Sequence, residues 1–504
     1  MRSDPPVPYI EDLVAVLAAA GARTVVRHEH RDVSGRALLD AVHRHARVLG
    51  ELGIGRGDLV AIYAADRPES LVVRYATHLV GAASVYLSAP PDPAVRARML
   101  VDFAPRLLVV EPGTAHLVPD TDVPLAAVGG PVSGVAHRLD EAAVAVSADP
   151  VPSAARAGDL AVVTSSGGTI GVPKGSVRDF TAWTAAVRTP PRPERRQLAD
   201  GNLAYLTQVL VDQTLLGGGT VVLQEGIEPA MTLATVEAER ITDLFLVEPQ
   251  LFELMDHPDL ARRDLSSLRA LTHIGANAAP VLRRRARERL GPVVAHTYGA
   301  SEMGIVSALP PAEHDLESPD RFTCAGHIVP GVDVRFRDSA GAVHPSSGSM
   351  EVRSPAMASG YRHRPVEEAE HFVDGWYRTG DLGRLDDEGY LHVLGRAADC
   401  EIVGGVLVTP VALQDTLCRL AQVRYAVVVP ELAWGRRIVA AVAWPGGEVE
   451  PAACVEAVRR EHGDAVATSL VVLVVGRVPL TEQGKPDRAA LHRLAEHADS
   501  VTRS

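Results

Sequence analysis

Of the 50 Lys and Arg residues in this chain only two are lysine, Lys174 and Lys485, and each stands in a glycine-flanked loop. An ammonium is a compact point charge, whereas guanidinium is a broad planar fork, so a chain that otherwise writes its cations as Arg keeps Lys where a small cation must fit. Lys174 closes the stretch Thr164-Ser-Ser-Gly-Gly-Thr-Ile-Gly-Val-Pro-Lys-Gly175. The glycines permit positive φ and close approach of backbone N–H groups to a ligand. The hydroxyls of Thr164, Ser165, Ser166 and Thr169 add donors beside Gly167 and Gly168. Such a loop suits a polyphosphate, although Pro173 and Gly175 around the lysine depart from the common nucleotide-binding pattern. Lys485 lies in Pro479-Leu-Thr-Glu-Gln-Gly-Lys-Pro-Asp-Arg488, where Gly and Pro fix the backbone and leave the ammonium free to reach outward.

Two further groupings carry chemistry. In Thr297-Tyr-Gly-Ala-Ser-Glu302, the carboxylate of Glu302 suits Mg²⁺ on phosphate oxygens, while Tyr298 and Gly299 suit the wall of a base pocket. In Trp376-Tyr-Arg-Thr-Gly-Asp381, followed by Gly389 to Arg396, the Asp381 carboxylate can accept from a ribose diol and Arg396 can reach ribose or phosphate. Ser301 resembles a serine nucleophile in its elbow, but Met303 stands where the closing glycine belongs, so it is not assigned that role. The basic run Arg283 to Leu290 reads as a solvated helix face, and His273 and His296 as packed or hydrogen-bonded rather than metal-bound. No His, Cys and carboxylate set has metal-site spacing.

Together these four motifs resemble the adenylate-forming superfamily of acyl- and aryl-CoA synthetases, luciferases and free-standing adenylation domains. The resemblance covers essentially the whole chain and is nearest to free-standing bacterial acid ligases. It implies ATP and Mg²⁺, a carboxylic acid activated as acyl-AMP with release of pyrophosphate, and transfer to CoA or another acceptor. It further implies that Lys485 bridges the carboxylate and α-phosphate, that Glu302 holds Mg²⁺, and that Asp381 and Arg396 fix the ribose. Gln208, Gly275, Asn277 and His296 then line the acid pocket, and their polarity favours a small aromatic acid over a long fatty chain. Alternatives on the same scaffold are an amide synthetase, a nitrite-activating diazotase of an aryl amine, and a catalytically lapsed nucleotide-binding member. Departures from the family pattern occur at Gly167 and Ile170, which remove two hydroxyls from the loop, and at Ala398, where a charged hinge residue is usual.

Those motifs need elements to position them. At 504 residues the chain exceeds one ordinary core. Apolar runs such as Leu59–Ala64, Ala83–Leu87 and Leu107–Glu111 alternate with amphipathic helices over Ala37–Leu52 and Pro93–Phe103, which argues for α/β sheets. Beyond about residue 320 shorter β-like runs point to a small β subdomain. The expected division is an N-terminal adenylate-forming domain over 1–394, hinged to a small α+β lid over 395–504 that carries Lys485. In the second step the lid would turn its Gly404-Gly405 face to the site. Four scattered cysteines, no signal-peptide pattern and no membrane-length apolar run read as a cytoplasmic protein. A formal charge of −13 argues against nucleic acid or an anionic membrane as partner. The expected partners are a small acid (or nitrite) and a thiol or amine acceptor, with a separate carrier protein as one possible source of the thiol. Lys485→Ala is expected to abolish acid-dependent pyrophosphate release while ATP binding and the fold persist; full activity of that variant would overturn the assigned role.

Overall fold

A computed structural model describes residues 6–63, 65–165, 172–274, 279–431, 436–481 and 484–502. Among these residues two large sheets form the body. One runs, in spatial order, through Gly360–Tyr361, Gly175–Asp179, Leu160–Ser165, Ala83–Tyr86, Leu59–Tyr63, Leu107–Val110, Leu125–Ala127 and His137–Arg138. The other runs from His327–Ile328 through Gly304–Leu309, Val294–Ala300, Ala270–His273, Asp243–Leu246, Arg196–Ala199 and Thr220–Leu223 to Thr24–His28 and Arg31–Ser34. The inner pairings of both are parallel, with antiparallel strands at one edge of the first sheet and at both edges of the second. The inner strands are uniformly buried, as at Leu59–Tyr63 and Asp243–Leu246, because helices cover their faces. That explains why they read as continuous apolar runs and not as alternating ones.

Helix Pro93–Phe103 starts at Asp92, whose side chain accepts from Ala94 N, and ends at Ala104 in the left-handed region. The expected helix over Ala37–Leu52 forms as Gly35–Glu51, capped by Ser34. An antiparallel sheet built on Asp333–Arg337, Ser347–Arg353, Trp376–Leu385 and Leu391–Arg396 is the small β subdomain. After Arg396 the chain makes the hairpin Glu401–Val403 with Val406–Val408, then a three-stranded sheet of Val423–Glu431, Arg436–Ala443 and Leu470–Val474 with helices around it. Among the described residues no helix is long and apolar enough to cross a membrane.

A buried ion pair joins the two halves of the body. Arg74, on helix Pro68–Leu79, donates twice to Asp212 on helix Thr207–Leu216, at 2.7 and 2.8 Å. Tyr75 and Trp183 add bonds of 2.8 and 3.0 Å to the same carboxylate. Four donors satisfy the buried charge, and Asp212 sits one turn after Gln208 on the same face, so the pair also fixes the helix that presents Gln208.

The basic run departs from expectation. Arg283 is buried and donates to the carbonyls of Phe322 and Cys324, each at 2.7 Å, and Arg285 pairs with Asp256 at 2.8 Å. Helix Pro280–Leu290 therefore turns guanidinium groups inward; charge alone did not reveal that carbonyls and a carboxylate wait there. Asp212→Ala would strand the Arg74 charge in the interior. It is expected to cost about 3–5 kcal/mol of unfolding free energy in denaturant titration.

Candidate active site

The strand Val294–Ala300 carries Tyr298 and Gly299 within it, with Glu302 in the tight turn before Gly304–Leu309. Gly299 must lack a side chain: a Cβ there would stand 2.4 Å from the Gly304 carbonyl oxygen. From this strand Tyr298 reaches the β subdomain and donates to Asp381 Oδ2 at 2.5 Å. Asp381 and Arg396 are cross-strand partners in the hairpin, and Arg396 Nε lies 3.2 Å from Asp381 Oδ1. Arg396 also donates to the Thr379 carbonyl at 2.6 Å, and the Thr379 hydroxyl takes the Asp381 N–H at 2.9 Å. Burial pushes the Asp381 pKa up, against the pull of Arg396 and Lys485. The structure thus brings Tyr298, Asp381, Arg396 and Lys485 together.

Glu302 is buried, and one of its oxygens accepts from the Tyr361 hydroxyl at 3.1 Å. The Lys174 ammonium stands 4.9 Å from the centre of the same Tyr361 ring, so the two motifs meet on one aromatic side chain. Beneath them Arg178 donates to the carbonyls of Ser301 at 2.6 Å and Ala356 at 2.7 Å. Burial lowers its pKa to about 10. Ser176 ties the strands further, donating to the carbonyls of Thr164 at 3.1 Å and Ser301 at 3.2 Å. The Ser301 oxygen that matters here is its carbonyl, an acceptor in this framework.

At the end of strand Leu160–Ser165 the Thr164 and Ser165 hydroxyls are buried without a hydrogen-bond partner. Unsatisfied buried donors are costly, and donors at a strand end fit an anion. Ser166, Gly167, Gly168, Thr169 and Ile170 lie outside the described residues, as do Gly275 and Asn277 in the acid-pocket prediction. Lys485 is partly buried; desolvation and Arg396 lower its pKa, while Glu302 and Asp381 act to raise it. All three of these charged neighbours belong to the motifs singled out in the sequence. Gly484, at φ +74°, holds the loop against the large domain: a Cβ there would stand 2.5 Å from Val247 Cγ2.

On the acid side Gln208 is buried, and neither end of its amide has a hydrogen-bond partner. His296 is turned inward instead: it stacks on His273 with Nδ1 to Nδ1 at 2.8 Å, and burial first, then Arg283, lowers its pKa well below the usual value. Sequence reasoning missed Asp200. It follows Ala199 at the carboxyl end of strand Arg196–Ala199 and is buried with neither oxygen hydrogen-bonded. Burial, with Asp66 nearby, raises its pKa to about 8. Asp66 is itself raised to about 7 by burial. The adjacent parallel strand Asp243–Leu246 ends at Val247, where the Lys485 loop docks, so Asp200 and that loop occupy neighbouring strand ends. In open parallel sheets this carboxyl edge is where ligands bind. The available signal was a carboxylate at the end of an apolar run, eight residues before Gln208.

Comparison with known proteins gives the family and the fold. The AMP-binding enzyme family matches residues 14–362. The amide bond synthetase McbA from Marinactinospora thermotolerans is 31% identical, with a TM-score of 0.84 covering 97% of this chain and 99% of that one. The medium/long-chain-fatty-acid–CoA ligase FadD8 of Mycobacterium tuberculosis is 29% identical over 92% of this chain and 87% of its own length. The indoleacetate–CoA ligase of Aromatoleum aromaticum is 30% identical over 83% of this chain and 85% of its own.

Arg178→Met would strand the Ala356 carbonyl and leave the Ser301 carbonyl with Ser176 as its donor. A loss of about 1–3 kcal/mol in urea unfolding is expected for the one stranded group. A change within experimental scatter would mean that other contacts hold the turn before Glu302.

Proposed function

This chain belongs to the AMP-binding enzyme family and is an ATP-dependent, AMP-forming acid ligase, and on that premise we propose that it activates a small aromatic acid and passes the acyl group to an amine. The observation that carries the acceptor is Asp200, a buried carboxyl group with no partner and a pKa of about 8 at the ligand-binding edge. A thiol reaches its reactive thiolate with little help, whereas an amine must shed a proton as it acylates, so a nearby base with a pKa near neutrality matches the amine. The full-length similarity to an amide bond synthetase supports the same reading. The unpartnered Gln208 amide supports a substituted ring in place of a plain alkyl chain.

In the first step a carboxylate oxygen of the acid attacks the α-phosphorus of ATP, the α–β bridging P–O bond breaks, and pyrophosphate leaves. Charge builds on the phosphorus oxygens and on the leaving group, so positioning and positive charge do most of the catalysis. Lys485 would stand between the carboxylate and the α-phosphate. Lys174, Thr164 and Ser165, with Ser166, Gly167, Gly168 and Thr169, would hold the β- and γ-phosphates. Asp381 would accept the ribose hydroxyls, kept in place by Arg396 and Tyr298. Glu302 fits Mg²⁺, since the Tyr361 hydroxyl steadies its buried carboxylate; the bound ion supplies charge neutralisation on phosphate oxygens. In the second step the neutral amine attacks the acyl carbon, the acyl–oxygen bond breaks with departure of AMP, and Asp200 takes the amine proton.

The four cysteines are all unpaired, which suits a cytoplasmic setting. The test measures pyrophosphate release over hydroxy-, amino- and methoxybenzoates, cinnamates, fatty acids and nitrite, each with amines or CoA. One aromatic acid with amide formation is expected. Asp200→Asn should keep a single-turnover pyrophosphate burst and lose about 10²-fold or more in amide formation. Asp200 is protonated below about pH 8, so wild-type amide formation should rise with pH through that value and the variant should not follow it. A thioester product unaffected by Asp200→Asn would replace the amine with CoA, and turnover with nitrite alone would make nitrite the acid.

A further inference from the structure

One helix of the large domain meets the C-terminal part of the chain along its whole length. Helix Glu248–Met255 begins directly after strand Asp243–Leu246, whose carboxyl end reaches the site. At its start Val247 and Gln250 abut Gly484, the residue before Lys485. Glu248 accepts from Gln414 of helix Pro410–Cys418, and burial raises its pKa to about 8. One turn on, Phe252 packs on Tyr425 with ring centres 5.7 Å apart, and Glu253 accepts the Tyr425 hydroxyl at 2.9 Å. At the far end Asp256 is buried and takes Arg424 Nε at 3.2 Å together with Arg285 at 2.8 Å. Arg285 closes the corner by donating to the Arg424 carbonyl at 2.7 Å and lying 4.9 Å from the Trp444 ring centre.

Beside these polar, directional contacts runs an apolar seam, in which Leu251, Phe252 and Leu254 share one buried core with Leu413, Leu417 and Val423. A displaced register would take Arg424 from Asp256 and Gln414 from Glu248, so the polar set selects one docking position.

We propose that helix Glu248–Met255, with Asp256, is the register that seats Lys485 over Asp381 and Glu302, and that Arg424, Tyr425 and Asp256 are positioning residues for the adenylation step alone. This rests on the reading that Lys485 acts in that step. Lys485 is held by a loop five residues beyond Leu480, while Arg424 and Tyr425 are in strand Val423–Glu431, so the helix sets the loop through the body of the C-terminal sheet. Once acyl-AMP exists, Lys485 has no further bond to stabilise, and the docking can be released.

The experiment separates the two half-reactions in Arg424→Gln, Tyr425→Phe and Asp256→Asn. Acid-dependent pyrophosphate release reports the first; AMP release from synthetic acyl-adenylate plus acceptor reports the second. We expect Arg424→Gln to lower kcat of the first at least 10-fold with the KM for ATP nearly unchanged, to leave the second within twofold, and Arg424→Lys to recover part of the loss. Arg424→Gln combined with Asp256→Asn should be far less than multiplicative, because both break one contact. Equal losses in both half-reactions, or in neither, would overturn the proposal. Lys485→Ala run alongside separates the two assumptions. If it keeps the first half-reaction, the role of Lys485 fails; if it stops that step while Arg424→Gln does not slow it, only the register fails.

Discussion

The site depends on one buried carboxylate. Asp381 stands where the large sheet, the β subdomain and the C-terminal lysine loop converge, and it is satisfied by a group from each side. Tyr298 donates from the sheet, Arg396 from across the hairpin, and Lys485 adds its field from the loop. A carboxylate out of water has to be surrounded by donors or give up its charge. That requirement draws three separate segments to one point, and the distances among the remaining groups follow from it.

Around this point the protein separates rigid and exchangeable parts. The Arg74–Asp212 pair, whose carboxylate takes four donors, welds the two sheets and fixes the helix bearing Gln208. Arg178 does the same for the turn that carries Glu302. By contrast the lysine loop is placed through contacts of the C-terminal part to helices Glu248–Met255 and Pro280–Leu290, with polar bonds at Glu248, Glu253, Asp256 and Arg285. Asp399 belongs to the exchangeable part: next to Ala398, it pairs with Arg488 just past the lysine loop, at 3.1 Å for one of two bonds. The charge absent at Ala398 is thus present one residue on, engaged with the segment that follows Lys485.

Several groups in the crevice are left unsatisfied. The Thr164 and Ser165 hydroxyls, the Gln208 amide and both Asp200 oxygens are buried without hydrogen-bond partners. They fall on two sides: hydroxyls beside the glycine loop and Lys174, suited to an anion, and amide and carboxyl groups beside the ends of the parallel strands.

Much was determined by the sequence itself. Glycine spacing, the two retained lysines and the paired Asp381 and Arg396 are local facts, because a tight turn or a two-strand pairing is settled within a few residues. Strands such as Leu59–Tyr63 and helix Pro93–Phe103 were legible for the same reason: apolar runs and caps act at short range. The inward turn of Arg283 and Arg285, the withdrawal of His296 onto His273, and the isolation of Asp200 were decided only by the tertiary structure. Each depends on which groups from distant segments share its burial, and a linear pattern carries no record of them. A lone Asp after a strand looks the same whether water or an empty crevice lies beyond it; only the fold removes the water, and with it the ordinary pKa.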